Sequence, residues 1–193
     1  MRYATLTPPI SPVDPGSATL SLRIPGWATG ASVTVVGESH QTTPGYWDLT
    51  KQWTAGEEII LELPLEVRTT SADARIDAAR GCVALERGPL VYAFEQLDQP
   101  ADTDLDLVEL VAGTPAEVER RSDLLGGVSV LKTVGRRVRR DVSAESWPFP
   151  RSPLDTDVPE TPAEDFPLVA IPYYTWANRE IGAMRVWVPE SAP

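Results

Sequence analysis

A single cysteine and a single histidine among 193 residues close off several chemistries before any pattern is read. One thiol cannot form an internal disulfide, so the fold does not depend on an oxidising compartment, and no Cys-pair metal motif can be written. One imidazole, His40, excludes paired-histidine metal sites, and its polar setting at residues 37–42 reads as a solvated turn rather than part of a Ser-His-acid catalyst. No apolar run approaches the length of about eighteen residues that a membrane helix needs. The opening stretch MRYATLTPPISPVDPGSATL also lacks the apolar centre of a secretory leader. Neither a span nor a leader is expected, and a cytoplasmic location is favoured. Positive charge is scarce as well: 17 Lys+Arg stand against 28 Asp+Glu, a formal charge of -11, which repels polyanions and disfavours nucleic acid. Gly-rich phosphate loops and nucleophile elbows are missing.

What is abundant is turn chemistry and alternation. Nineteen prolines and 13 glycines shorten regular elements and favour many short strands over long helices. Ala18, Leu20, Leu22 and Ile24 fall on one face and Thr19, Ser21 and Arg23 on the other, the period of a half-buried strand. Pro25-Gly26 suits a type II turn before Trp27. The same alternation recurs at residues 33–36, at Ile59, Leu61 and Leu63, and at residues 82–86 and 90–95, where Leu90, Tyr92 and Phe94 share a face across the turn Arg87-Gly88-Pro89. Strands at this spacing predict an all-β fold built as a sandwich or barrel.

Residues 98–106, DQPADTDLD, are acidic and turn-rich and mark a boundary. Strand-like pattern resumes over 106–112, 116–119 and 128–142, and then residues 143–167, with six prolines, read as a long extended connection. The apolar tail, 168–171 and 184–188, needs cover, and the first sandwich offers it. The expected organisation is therefore two β-sandwich subdomains of jelly-roll or Ig-like type: a discontinuous first one from 1–97 and 168–193, and a second inserted at 98–167.

No catalytic constellation assembles. Cys82 lies inside an alternating strand without a cationic neighbour until Arg87, so it reads as a small packed hydrophobe rather than an activated thiol. Asp102, Asp104 and Asp106 imitate the first ligands of a calcium loop, but Leu107 replaces the turn glycine and Gly113 the bidentate acid, leaving a solvated acidic loop. Paired acids such as Glu86 and Glu95 would be needed for glycosidic cleavage, yet 28 acidic residues supply many pairs and select none. Arg136, Arg137, Arg139 and Arg140 alternate with Val138 and read as a solvated strand face. Neither a cofactor nor a metal is expected. The six tryptophans, with Tyr46, Tyr173 and Tyr174, are core candidates that could also stack on sugars or anchor an interface. Residues 175–180 interrupt the two apolar tail strands with Trp, Asn and Arg, either as a turn capped by Asn178 or as a docking segment. Tyr174, Trp176, Asn178 and Arg179 are accordingly the candidate contacts to another domain or to carbohydrate.

Four phrases taken together carry a family likeness: LRIPGWATGASVTVVGE, GYWDLTKQWTAGEEIILELPLEVR, GCVALERGPLVYAFE and AIPYYTWANREIGAMRVWVP. In order along nearly the whole chain, they resemble the C-terminal β-sandwich region of glycoside hydrolase family 127, the β-L-arabinofuranosidase-like bacterial enzymes of carbohydrate metabolism. The resemblance implies two sandwiches behind an N-terminal (α/α)6 catalytic barrel, where a cysteine nucleophile, a glutamate acid/base and a zinc site do the chemistry. This chain has no such barrel and no cysteine cluster, so no catalytic residue carries over, Cys82 included. The expectation is a non-catalytic accessory portion, a domain fragment whose partners are the barrel and, in rival readings, carbohydrate or a second copy of itself.

Overall fold

The computed structural model describes residues 3–6, 17–54, 56–138 and 164–191, and the regular structure within them is strand, relieved only by 3-10 turns of three residues each. The protein is all-β. Most of the proline-rich connection, with Trp147, Arg139 and Arg140, lies outside the described residues. The chain forms two compact units, residues 1–66 with 87–89, and residues 67–86 with 90–193.

The first unit carries β1 (Tyr3–Leu6), β2 (Ser17–Ile24), β3 (Ser32–Val35), β4 (Glu38–Gln41), β5 (Gly45–Gln52) and β6 (Ile59–Glu62). A four-stranded sheet runs β1-β6-β3-β4, and β2 pairs with β5 in a separate antiparallel ladder from Ser17↔Gln52 to Ile24↔Gly45. Both sheets feed one core: Leu22 and Ile24 from β2 meet Val33 and Val35 from β3 and Ile59 and Leu61 from β6. The polar face of β2 stays in solvent, where the Thr19 and Thr50 hydroxyls meet at 2.7 Å across the ladder. Trp27, Trp47 and Trp53 pack against the same core, which accounts for half of the tryptophans.

Two local expectations shift. The turn after β2 is closed by the Ala28 N–H donating to the Pro25 carbonyl, so Pro25 opens the turn instead of occupying its second position. The glycine that uses positive φ is Gly30, at 78°, in the following turn closed from Ala31 to Ala28. His40 sits in the exposed strand β4, because the reversal is made by Val36 and Gly37, at φ 49° and 83°, in a two-residue hairpin loop.

The second unit contains β7 (Val67–Ser71), β8 (Cys82–Arg87), β9 (Leu90–Glu95), β10 (Val108–Leu110), β11 (Glu117–Arg121), β12 (Val128–Arg137), β13 (Asp165–Pro172), β14 (Met184–Arg185) and β15 (Val188–Pro189). Its main path runs β10-β12-β13-β9-β8-β15, with β11, β14 and β7 attached to β12, β9 and β8. The two ends of that path then meet: Leu110 bridges Glu190 in parallel, and the Ser191 N–H donates to the Leu110 carbonyl at 2.8 Å. Joining the ends gives the sheet the closed form of a small barrel, which satisfies edge groups that an open sheet would leave unpaired. Inside lie Val83, Leu85, Tyr92, Phe94, Leu105, Val108, Leu110, Leu131, Leu168, Ala170 and Val188. The Tyr92 hydroxyl, buried with its ring, donates to the Ser129 carbonyl at 3.1 Å.

The boundary between units differs from the one drawn at 97/98. It falls at 66/67, because β8 and β9 are the partners of the tail strands: β13 pairs with β9 and β15 with β8. The tail does return to residues 82–95, but that hairpin, apart from its tip at 87–89, joins residues 98–138 in one unit rather than standing apart from them.

Candidate functional site

The features suited to recognition concentrate in the second unit, where β13 ends at Pro172 and the chain makes a 3-10 turn, Tyr173–Thr175, before reaching β14. The Thr175 hydroxyl caps this turn by donating to the Pro172 carbonyl at 2.6 Å. Tyr174 is 65% and Trp176 38% exposed, and Ile181 is fully in solvent. The Tyr173 and Trp176 rings stack, with centroids 6.1 Å apart and planes 18° from parallel.

What holds this exposed segment is charge beneath it. Glu95, at the end of β9, has a side chain only 1% exposed, and the Arg179 guanidinium pairs with it and with Asp98, whose side chain is 10% exposed. Arg179 donates to Asp98 through Nη1 at 2.8 Å and Nη2 at 2.6 Å, and Nη2 also reaches Glu95. Hydrogen bonding to Asp98, reinforced by Glu95 and opposed by burial, raises the Arg179 pKa further above its usual value. The Ala177 N–H donates to the other Glu95 oxygen at 3.2 Å, and Ala177 accepts a left-handed φ of 59° to do so. Gln99 completes the support by donating to the Glu95 and Val169 carbonyls, each at 2.8 Å. Of the four sequence candidates, Tyr174 and Trp176 are therefore presented outward, Asn178 donates back to the Trp176 carbonyl at 3.3 Å, and Arg179 is committed inward as the pin.

Beside this segment Val91, Asp106, Tyr173, Met184, Arg185, Val186 and Trp187 line an open groove of about 630 Å³. Its charged end is an ion pair in which Arg185 Nε and Nη2 both donate to Asp106 Oδ1, at 3.0 and 2.5 Å. Trp187 is one of the aromatics the sequence singles out, whereas nothing in the sequence joins Asp106 to Arg185. These two lie 79 positions apart, and no local pattern links them.

The chemical candidates resolve into structure. The Glu86 carboxylate is paired with Arg68 and accepts from the Thr70 hydroxyl at 2.9 Å, while Glu95 serves Arg179. The three loop aspartates diverge: Asp102 pairs with Arg137, Asp104 accepts the Asp106 N–H to cap a 3-10 turn, and Asp106 pairs with Arg185. Among the described residues no three His, Cys, Asp or Glu side chains are grouped to hold a metal ion. Cys82 is half-buried, with its sulfur 3.9 Å from the Arg80 carbonyl. Arg136, from the basic run, forks onto Asp165.

Comparison with known proteins agrees with this architecture. The profile of the GH127 middle domain of β-L-arabinofuranosidase matches residues 5–65, and that of the glycoside hydrolase family 127 C-terminal domain matches residues 67–189. The chain belongs to glycoside hydrolase family 127. The junction between the two profiles coincides with the division between compact units. A non-reducing end β-L-arabinofuranosidase of Bifidobacterium longum is 38% identical over 188 residues, which is 95% of this family 127 chain and 27% of the relative. A solved GH127 β-L-arabinofuranosidase from Geobacillus stearothermophilus T6 superposes with a TM-score of 0.74 at 36% identity, covering 91% of this chain and 27% of that one. A second solved glycoside hydrolase gives a TM-score of 0.76 at 26% identity, with 92% and 28% covered. The chain thus spans about a quarter of the length of these relatives. No helix among the described residues is long and apolar enough to cross a membrane.

Proposed function

We propose that this family 127 chain is a non-catalytic accessory portion that supports a catalytic barrel of the β-L-arabinofuranosidase type. The observation that carries the proposal is coverage: two family domains account for nearly the whole chain, while relatives that bear the enzyme name are almost four times longer. The docking element is the segment at 174–181, where Tyr174, Trp176 and Ile181 expose apolar area on a backbone fixed by Arg179. Rigid aromatic groups on a pinned backbone lose little entropy on association, which suits an interface anchor. Glu86 and Glu95, each neutralised by an arginine, fit a structural duty better than an acid/base pair.

The test is the affinity of the chain for a separately expressed family 127 barrel. Trp176→Ala should weaken it at least tenfold, and unchanged binding counts against docking. Zinc-dependent hydrolysis of an aryl arabinofuranoside by the purified chain would overturn the non-catalytic reading altogether. Self-association through the same rings is a competing use, decided by sedimentation of the chain with and without Trp176→Ala. Carbohydrate binding on Tyr174 and Trp176 is the other, and arabino-oligosaccharide binding that is lost in Tyr174→Ala separates it from docking.

A further inference from the structure

The groove at Asp106, Arg185 and Trp187 has a chemistry of its own. Because Arg185 Nε and Nη2 both fall on Asp106 Oδ1, the second carboxylate oxygen and Nη1 make no hydrogen bond among the described residues. An acceptor and a donor therefore stand side by side at a fixed spacing. The Asp106 side chain is 72% and that of Arg185 37% exposed, so both are within reach of a ligand. Along the rest of the groove run Val91, Met184 and Val186, with Tyr173 and Trp187 each presenting part of a ring, at 45% and 38% exposure.

We infer that this groove is a carbohydrate subsite that takes a short L-arabinofuranosyl oligosaccharide, with a hydroxyl held between Asp106 and Arg185 and ring C–H groups on Trp187. A sugar hydroxyl donates and accepts at once, so it complements an acceptor beside a donor, with charge assistance on both bonds. The ring C–H groups are apolar and pack on indole or phenol, which joins an apolar body to a polar edge as the groove does. A fully apolar occupant would leave the fork to pair only with water, and a phosphate or other dianion would meet the Asp106 carboxylate. The volume of about 630 Å³ falls within the usual range of small-molecule sites, about 300–1,000 Å³. The pentose identity rests on the family the chain belongs to. The site itself rests on geometry and stands whether or not the 174–181 segment docks a barrel.

The experiment is a heteronuclear NMR titration of the chain with methyl β-L-arabinofuranoside and with an arabinofuranosyl disaccharide, paired with calorimetry. Saturable shifts confined to the amides of Val91, Tyr173 and residues 184–187, with millimolar affinity, are expected. Trp187→Ala should weaken binding at least tenfold, and the conservative variants Asp106→Asn and Arg185→Gln severalfold. Ile181→Ser, on the docking segment and outside the groove lining, should leave it unchanged. Asp106 is largely in solvent, so its variant keeps the test intact even if Trp187→Ala folds poorly. No saturable shift, shifts scattered away from the groove, or equal affinity in Asp106→Asn and Arg185→Gln would each overturn the assignment.

Discussion

Replacing Arg179 with methionine should be far more costly than its surface position suggests. The guanidinium is the partner of Glu95, whose side chain is 1% exposed, and of Asp98 at 10%. Removing one member of a buried pair leaves the other desolvated and uncompensated, which costs about 3–5 kcal/mol. At about 4 °C of melting temperature per kcal/mol for a unit of this size, Arg179→Met should lower the midpoint by about 12–20 °C. Circular dichroism melts and urea titrations provide the numbers, and amide exchange should show the loss beginning at residues 176–183, where Ala177 also leans on Glu95. Glu95→Gln combined with Arg179→Met removes the stranded charge, so the double variant should be better than the sum of the singles by about 1–3 kcal/mol. A loss in Arg179→Met of less than about 1 kcal/mol, as expected of an exposed pair, would refute the claim that this cluster pins the recognition segment.

Two further perturbations test other parts of the architecture. A Cβ on Gly135 would stand 2.4 Å from Leu168 Cδ1 and 2.7 Å from its Cγ, and Leu168 has no exposed surface through which to escape. Gly135→Ala should therefore destabilise by about 1–3 kcal/mol in urea, and an unchanged midpoint would show the β12–β13 packing to be looser than described. Hydrogen bonds from Arg121 depress the Asp123 carboxyl to about 2. Its contribution to stability is therefore present above the unfolded value, about 3.9, and fades as pH falls through the folded one, though it is small because the pair is exposed. Carbon-detected NMR should find that low midpoint in the parent and a higher one in Arg121→Gln, still held below the unfolded value by the backbone hydrogen bond at Asp123, and a midpoint unmoved by the substitution would refute the pairing.

Period-two alternation made the strands legible wherever one face is wet. Leu22 and Ile24 are buried opposite exposed Ser21 and Arg23, whereas in β9 Tyr92 and Phe94 are buried as their spacing predicted but Ala93 and Glu95 on the other face are buried too. Pairing was much less legible. Alternation identifies a strand but says nothing of its neighbour, and β9 finds β13 across more than seventy positions through Ala170↔Phe94. The boundary expected at 97/98 rested on local composition, whereas the division at 66/67 follows those long-range ladders. The candidate site divides in the same way. Tyr174 and Trp176 stood out as aromatics between apolar strands, and they are exposed. The inward role of Arg179 depends on Glu95 and Asp98, more than eighty residues earlier, and the Asp106–Arg185 fork has the same non-local origin.

Closure of the barrel bears on how the second unit can engage anything else. With β10 bridged to β15, the main path offers no long unpaired edge to an incoming strand, and strand addition is confined to the attached strands β7 and β11, each with one partner. Elsewhere contact is made by side chains, and these are not spread evenly. Of the nine large hydrophobic residues exposed among the described residues of the second unit, five, Tyr173, Tyr174, Trp176, Ile181 and Trp187, fall within residues 173–187. Scattered single exposures are ordinary for a protein surface, but five in one short segment, fixed from beneath by a buried ion cluster, form an arrangement that folding alone does not require. The two proposals assign these residues different occupants, a neighbouring body on the 174–181 side and a sugar in the groove, and the variants Ile181→Ser and Trp187→Ala test them separately, because Ile181 lies outside the groove lining that Trp187 belongs to.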